Sequence, residues 1–171
     1  MNYENLLKGG DLRSIGRAND VVKNVKSQRD FDSLFEGLFD DDRKVVMRTA
    51  DALEKISAEK PEYLAKHKKA ILKLLSTAEG IELKWHLAQM VPRMKLTTRE
   101  VGIVWQCLAL WAMDKSESRI VRANSVQGLY ELSETRSELK RDLELMVDEV
   151  RRENIPSLNA RIRKLQSKRR R

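Results

Sequence analysis

Residues 121–132 read VRANSVQGLYEL, and they lie without a gap over residues 83–94, LKWHLAQMVPRM, and residues 45–56, VVMRTADALEKI. The offset is 38 residues each time, and four apolar columns result. Val45, Leu83 and Val121 form the first, and Ala50, Ala88 and Val126 the second. Leu53, Val91 and Leu129 form the third, and Ile56, Met94 and Leu132 the fourth. Within each segment these positions stand at i, i+5, i+8 and i+11, one face of a helix of 3.6 residues per turn. A fixed period of this length marks a repeat architecture. Each unit is too small to bury its own apolar face and does so by stacking on its neighbours.

Working outward, each leading helix is followed by room for a second one, predicted over residues 61–75, 98–113 and 137–153. Pro61 suits a first helical turn. Thr97 with Glu100 and Thr135 with Glu138 have capping-box spacing and read as the starts of the latter two. Ser76 with Glu79 reads as the start of the middle leading helix. Val101 with Leu139, and Leu108 with Met146, extend the 38-residue columns into the second helices. Pro92 should end or kink the middle leading helix. Upstream, residues 20–26 and 30–39 supply capping helices; downstream, Ile155-Pro156-Ser157 opens a last helix, LNARIRKL. The expected fold is all-α: a short right-handed α-α superhelix, or solenoid, of about three helix pairs with N- and C-terminal capping helices. The expected domain is single, over residues 1–165, with capping helices about 3–39 and repeats about 40–76, 77–114 and 115–154. A terminal half repeat over 155–166 and a basic tail over 167–171 complete it.

Composition agrees with helix. Of 171 residues, 35% are charged and 5% aromatic, with seven Gly and three Pro. The start, MNYENLLKGG, lacks a basic stretch followed by an apolar run, and no apolar stretch is long enough to cross a bilayer. No membrane partner is expected, and the expected location is cytoplasmic. The single cysteine, Cys107, excludes an intrachain disulfide and a multi-thiolate metal site. The net charge of +8 is concentrated at one end: Arg161, Arg163, Lys164, Lys168, Arg169, Arg170 and Arg171 carry no acid among them. Without those seven, 27 basic residues face 26 acidic ones, so the body is close to neutral. The terminal run reads either as a solvated tail or as a set of phosphate contacts.

The pattern Val121-Arg122-x-x-Ser125-Val126-x-Gly128-Leu129-x-x-Leu132 resembles the first helix of a HEAT repeat. Val46 and Lys84 stand where the third segment has Arg122, so the first two segments fit less closely. The resemblance covers roughly residues 40–165. The chain also resembles a bacterial family of small HEAT-like repeat proteins with no established activity. The stretches concerned are GGDLRSIG, LFEGLFDDDRKVVMRTADALEKIS, KWHLAQMVPRMKLT, SRIVRANSVQGLYELSE and IPSLNARIRKL. The resemblance implies a HEAT-like solenoid, and for function an adaptor holding peptides or proteins on the concave face lined by second helices. A related branch, the alkylpurine DNA glycosylases, combines concave-face aromatics with a carboxylate and an arginine. Trp111 and Asp114 are the nearest counterparts, and Asp114 equally reads as a helix end.

The remaining candidates carry little chemistry. Gly9, Gly10 and Gly16 lack the spacing and the lysine of a phosphate-binding loop and read as a flexible lead into the first helix. His67 and His86 have no carboxylate or thiol at metal-ligand spacing. His86 shares a column with Arg48 and Asn124; the column is polar throughout and is expected to face out of the core, as a binding row or a solvated stripe. Asp40, Asp41 and Asp42 read as a helix cap. The partner-binding candidates on the second helices are Lys66, Lys69, Lys73, Trp105, Gln106, Trp111 and Arg141. Trp105 and Trp111 are six apart and cannot face the same way, so one is expected in the core and the other as an interface anchor. The expectation is a non-catalytic protein-binding scaffold without cofactor or metal. The alternative is nucleic-acid binding through the first-repeat lysines and the terminal cations, opposed by Asp142, Glu144, Asp148 and Glu149 in the third repeat. Glycosylase-like activity is a remote third.

Overall fold

In the computed structural model the described residues are Leu7 and residues 18–169. Gly9, Gly10, Gly16, Arg170 and Arg171, and most of the expected first capping segment, lie outside them. The described residues are helical and include no strand. The chain divides into two compact units, one ending at Ala70 and the other beginning at Ile71.

The first unit contains α1 (Ala18–Asn24), α2 (Gln28–Phe35) and a 3-10 turn (Glu36–Phe39). α3 (Arg43–Glu59), a second 3-10 stretch (Pro61–His67) and the first residues of α4 (Lys68–Thr77) follow. α2 opens with a capping box in which Ser27 accepts from the Asp30 amide and Asp30 accepts from the Ser27 amide. The acidic triplet caps α3 as expected. Asp42 Oδ1 accepts from the Lys44 amide at 2.8 Å, and Asp40 Oδ1 from the Asp42 amide at 2.7 Å. α3 packs on α1, α2 and both 3-10 segments, burying Val45, Ala50, Leu53 and Ile56. The helix expected over 61–75 is 3-10 up to His67 and α only from Lys68 to Thr77.

The second unit contains α5 (Ile81–Met90), a 3-10 turn (Val91–Arg93), α6 (Thr98–Met113) and α7 (Arg119–Thr135). A 3-10 turn (Ser137–Leu139), α8 (Lys140–Arg152) and α9 (Pro156–Arg169) complete it. Pro92 ends α5 as expected. α7 is the hub, packing on α5, α6, α8 and α9. Gly128 makes this closeness possible: a Cβ there would stand 2.7 Å from the Ala88 carbonyl oxygen and 2.9 Å from Leu108 Cδ1. Every member of the four apolar columns is buried except Leu83, which is half-buried.

The second helices depart from the 38-residue register. α6 buries Val104, Leu108 and Trp111, whereas α8 buries Leu143, Val147 and Val150, each 39 residues on. Leu139 and Met146, the expected counterparts, are only half-buried. The shift follows from how the helices begin. α6 starts at the Thr97–Glu100 capping box, with Glu100 Oε2 accepting from the Thr97 amide at 2.8 Å. Thr135 instead ends α7 and donates its hydroxyl to the Leu132 carbonyl at 3.1 Å, so the expected Thr135–Glu138 box is absent. The Ser76–Glu79 box is absent for the same reason. Ser76 donates back to the Lys73 carbonyl at 2.8 Å inside α4, and α5 begins after Gly80. α9 runs to Arg169, so residues 167–169, expected in a tail, continue the last helix.

Candidate functional site

The polar column expected on the surface is buried. Arg48, His86 and Asn124 are 1%, 3% and 3% exposed. Arg48 Nη1 donates to the Leu7 carbonyl at 2.6 Å. His86 Nδ1 donates to the Glu82 carbonyl at 2.6 Å, and Asn124 Nδ2 to the Ile120 carbonyl at 2.9 Å. In the last two the acceptor is the residue's own helix backbone four residues earlier, so a polar side chain is accommodated inside the core by a bond within its own helix. The column is a structural element and offers no binding row.

A second polar device recurs in the second unit. Lys84 of α5 pairs with Glu117, in the loop between α6 and α7, and its ammonium stands 5.7 Å from the centroid of the Trp111 ring. Arg122 of α7, 38 residues on, donates from Nη1 and Nη2 to the Glu153 carboxylate at 2.9 and 2.7 Å. Its Nε donates to the Ala112 carbonyl at 2.9 Å. Hydrogen bonding from Arg122 is the main cause that holds the Glu153 carboxyl below its ordinary value. Asn154, with φ of 55°, adopts the left-handed conformation that asparagine tolerates and turns the chain after Glu153.

Trp111 is therefore core, at 8% exposure, and is corrected as a partner-binding candidate; Trp105 is the half-buried one left at the surface. Asp114 accepts from the Ser116 amide at 2.8 Å and from its hydroxyl at 2.6 Å, closing the turn after α6. Those bonds hold its carboxyl below the ordinary range. Asp114 thus serves the helix end, while Trp111 lies in the core. Cys107 donates to the Leu75 carbonyl at 3.3 Å, and burial pushes its thiol up to about 11, away from the nucleophilic thiolate. Lys66 is engaged by Asp32, which also accepts from His67 Nε2 at 2.7 Å and Gln28 Nε2 at 2.8 Å. Lys66 leads these interactions in lowering the Asp32 carboxyl to about 2. Among the described residues no three His, Cys, Asp or Glu side chains converge as a metal site.

The accessible surface of the second helices includes Arg99, Ile103, Gln106 and Leu110 on α6, and on α8 Leu145 among the charged residues Lys140, Arg141, Asp142, Glu144, Asp148, Glu149 and Arg152. The two helices pack side by side. Ile103, Leu110 and Leu145 are 45%, 70% and 64% exposed, large apolar groups on the outside of a well-filled unit. Gln106 and Arg141 were legible as candidates; the three apolar residues were not. Their signal was the excess of apolar residues in TREVGIVWQCLALWAM over what one buried face can hold. Lys69 and Lys73 are exposed one turn apart on α4.

The terminal cations divide. Arg161, Lys164 and Lys168 line one wall of a 470 Å³ cleft between α7 and α9, while Arg163 is exposed elsewhere on α9. The opposite wall carries Gln127, Glu131 and Glu134. No described helix is long and apolar enough to cross a membrane. A family model described as HEAT repeat domain matches residues 5–169. Neither a curated protein nor a solved structure matches the chain.

Proposed function

The chain belongs to the HEAT repeat domain family, and from that premise we propose that it is a non-catalytic scaffold whose docking face is formed by α6 and α8. The observation that carries this reading is the exposure of Leu110, at 70%, with Ile103 on the same helix and Leu145 on the neighbouring α8. Interfaces are built from an apolar centre within a polar rim. Here Arg99, Gln106, Arg141, Asp148 and Arg152 supply the rim. The partner is another protein or peptide presenting an apolar anchor. The repeats at about 40–76, 77–114 and 115–154 are its construction units. A single free cysteine, Cys107, is in keeping with a reducing cytoplasm, where we place the protein.

Nucleic-acid binding through the same layer is disfavoured by charge. Asp142, Glu144, Asp148 and Glu149 are all exposed on α8, and Arg161, Lys164 and Lys168 stand opposite Glu131 and Glu134. The test compares the intact chain with Leu110→Glu and Leu145→Glu as bait for cellular proteins. It adds direct titration with duplex DNA, single-stranded DNA and RNA at two salt concentrations. Capture of a protein that both substitutions abolish is the expected result. Capture unaffected by either, or salt-dependent nucleic-acid binding lost in Lys69→Ala/Lys73→Ala, would sink the proposal.

A further inference from the structure

The cleft between α7 and α9 has a build that the packing of the two helices does not require. α9 is seated by Leu158 and Ile162, which are 1% and 0% exposed. Leu165, on the same stripe, is only half-buried, so the helices part and leave the 470 Å³ cleft, whose floor is Tyr130 and Leu165. That volume lies within the range of ligand sites, about 300–1,000 Å³.

Its walls are charged with opposite sign. On α7, Gln127, Glu131 and Glu134 fall at i, i+4 and i+7; on α9, Arg161, Lys164 and Lys168 fall at i, i+3 and i+7. At one end the walls are joined, Arg161 donating to Gln127 and the Gln127 amide donating to Glu131 at 2.8 Å. Beyond that link the opposite charges do not meet. Among the described residues no ion pair within 4.0 Å joins Glu134 to Lys164 or Lys168. Oppositely charged walls held apart by the scaffold gain most from an occupant that presents a cation to one and an anion to the other.

We propose that this cleft binds an extended peptide segment in which basic and acidic side chains alternate. In an extended chain successive side chains point to opposite sides, and those on one side repeat about every 6.7 Å. Residues one turn apart on a helix wall are separated by about 4.5–6 Å along its axis. An alternating segment therefore sets its basic residues against Glu131 and Glu134 and its acidic ones against Lys164 and Lys168. The aliphatic stems lie over Tyr130 and Leu165. A purely anionic chain would meet the two glutamates and a purely cationic one the lysines, so the site discriminates by pattern. This cleft is apart from the α6–α8 face, and its failure would leave that reading standing.

The probe is a capped hexapeptide of alternating lysine and glutamate, titrated into the isotope-labelled full chain by NMR. A block peptide of the same composition and a hexaglutamate peptide serve as controls. The alternating peptide should shift Glu131, Glu134, Lys164 and Lys168 and bind at least about tenfold tighter than either control. Glu134→Lys and Lys168→Glu should each weaken it about tenfold. The double reversal leaves both signs on each wall and should not restore it, whereas the fourfold reversal Glu131→Lys/Glu134→Lys/Lys164→Glu/Lys168→Glu should, because the alternating pattern fits exchanged walls equally well. Circular dichroism verifies that the variants keep their helix content. Equal binding of hexaglutamate would make the cleft a simple anion site and overturn the proposal. So would binding that the single reversals leave unchanged, or the absence of binding by the alternating peptide.

Discussion

The first and second units each bury an arginine in a leading helix, Arg48 in α3 and Arg122 in α7, but in different columns of the repeat. Arg48 shares its column with His86 and Asn124; Arg122 shares its own with Lys84 and Val46. Two residues along a helix is a turn of about 200°. The two positions therefore fall on nearly opposite sides of the leading helix in the repeat register, and the guanidiniums fasten different things. Arg48 holds the Leu7 carbonyl, whereas Arg122 holds Glu153, at the turn into α9. Apolar columns are interchangeable between repeats because burial has no direction. A buried cation is placed where its unit has an acceptor to tie down.

Breaking that comparison at its strongest point should give the largest effect. Arg122→Met leaves the Glu153 carboxylate and the Ala112 carbonyl without their donor, and should cost about 3–5 kcal/mol. Arg48→Met removes a fully buried guanidinium that donates to the Leu7 carbonyl, and should also destabilise, by at least about 1–3 kcal/mol. Denaturant unfolding followed by tryptophan fluorescence suits the first variant, since Trp85, Trp105 and Trp111 all lie in the second unit. A loss near zero in either variant would show that its buried arginine fastens nothing. The pair also sets an acid response. Glu153 has a folded-state pKa below its ordinary value of 4.5, so its contribution is present above that value and fades as pH falls through the folded value. In Arg122→Met that component of acid sensitivity should vanish. In the first unit, Asp32, lowered to about 2, should keep its contribution above about pH 4 and lose it as pH falls toward 2.

The apolar columns were legible in the sequence because leading helices bury one face at a fixed period, and the buried set follows that reading from Val45 to Leu132. The burial of His86 and Asn124 was not legible. A side chain that bonds its own helix backbone is polar in the sequence and closed in the structure. The docking stripe was half legible: Gln106 and Arg141 by their chemistry, Ile103, Leu110 and Leu145 only once the buried set was fixed. Leu129→Ala should then cost about 2–5 kcal/mol, and Leu83→Ala, at the half-buried column position, less than about 2 kcal/mol. A reversed order would break the column alignment between α5 and α7.

Gly128→Ala tests the closest approach in the second unit. The added methyl must displace the Ala88 backbone or Leu108, and the loss should be about 1–3 kcal/mol despite alanine's better helix propensity. A gain in stability would mean that α5 and α7 can separate without cost.

The smallest effect sharpens the comparison of α6 with α8. Both helices are preceded by a threonine three residues before a glutamate, but only Thr97 caps. Thr135 lies in the last turn of α7, where its hydroxyl already serves the Leu132 carbonyl. Thr97→Ala should cost about 1 kcal/mol, and Thr135→Ala no more than a few tenths. The contrast bears on register. A cap fixes the first residue of a helix, and without one α8 begins through the 3-10 turn Ser137–Leu139, which carries its buried set one residue beyond the 38-residue period. If that is the cause, Arg136→Ser, a helix-capping residue at the extended position before the 3-10 turn, should stabilise α8 where it now starts, with the protection of Leu143, Val147 and Val150 amides from hydrogen exchange rising together. Unchanged protection would place the origin of the slip elsewhere.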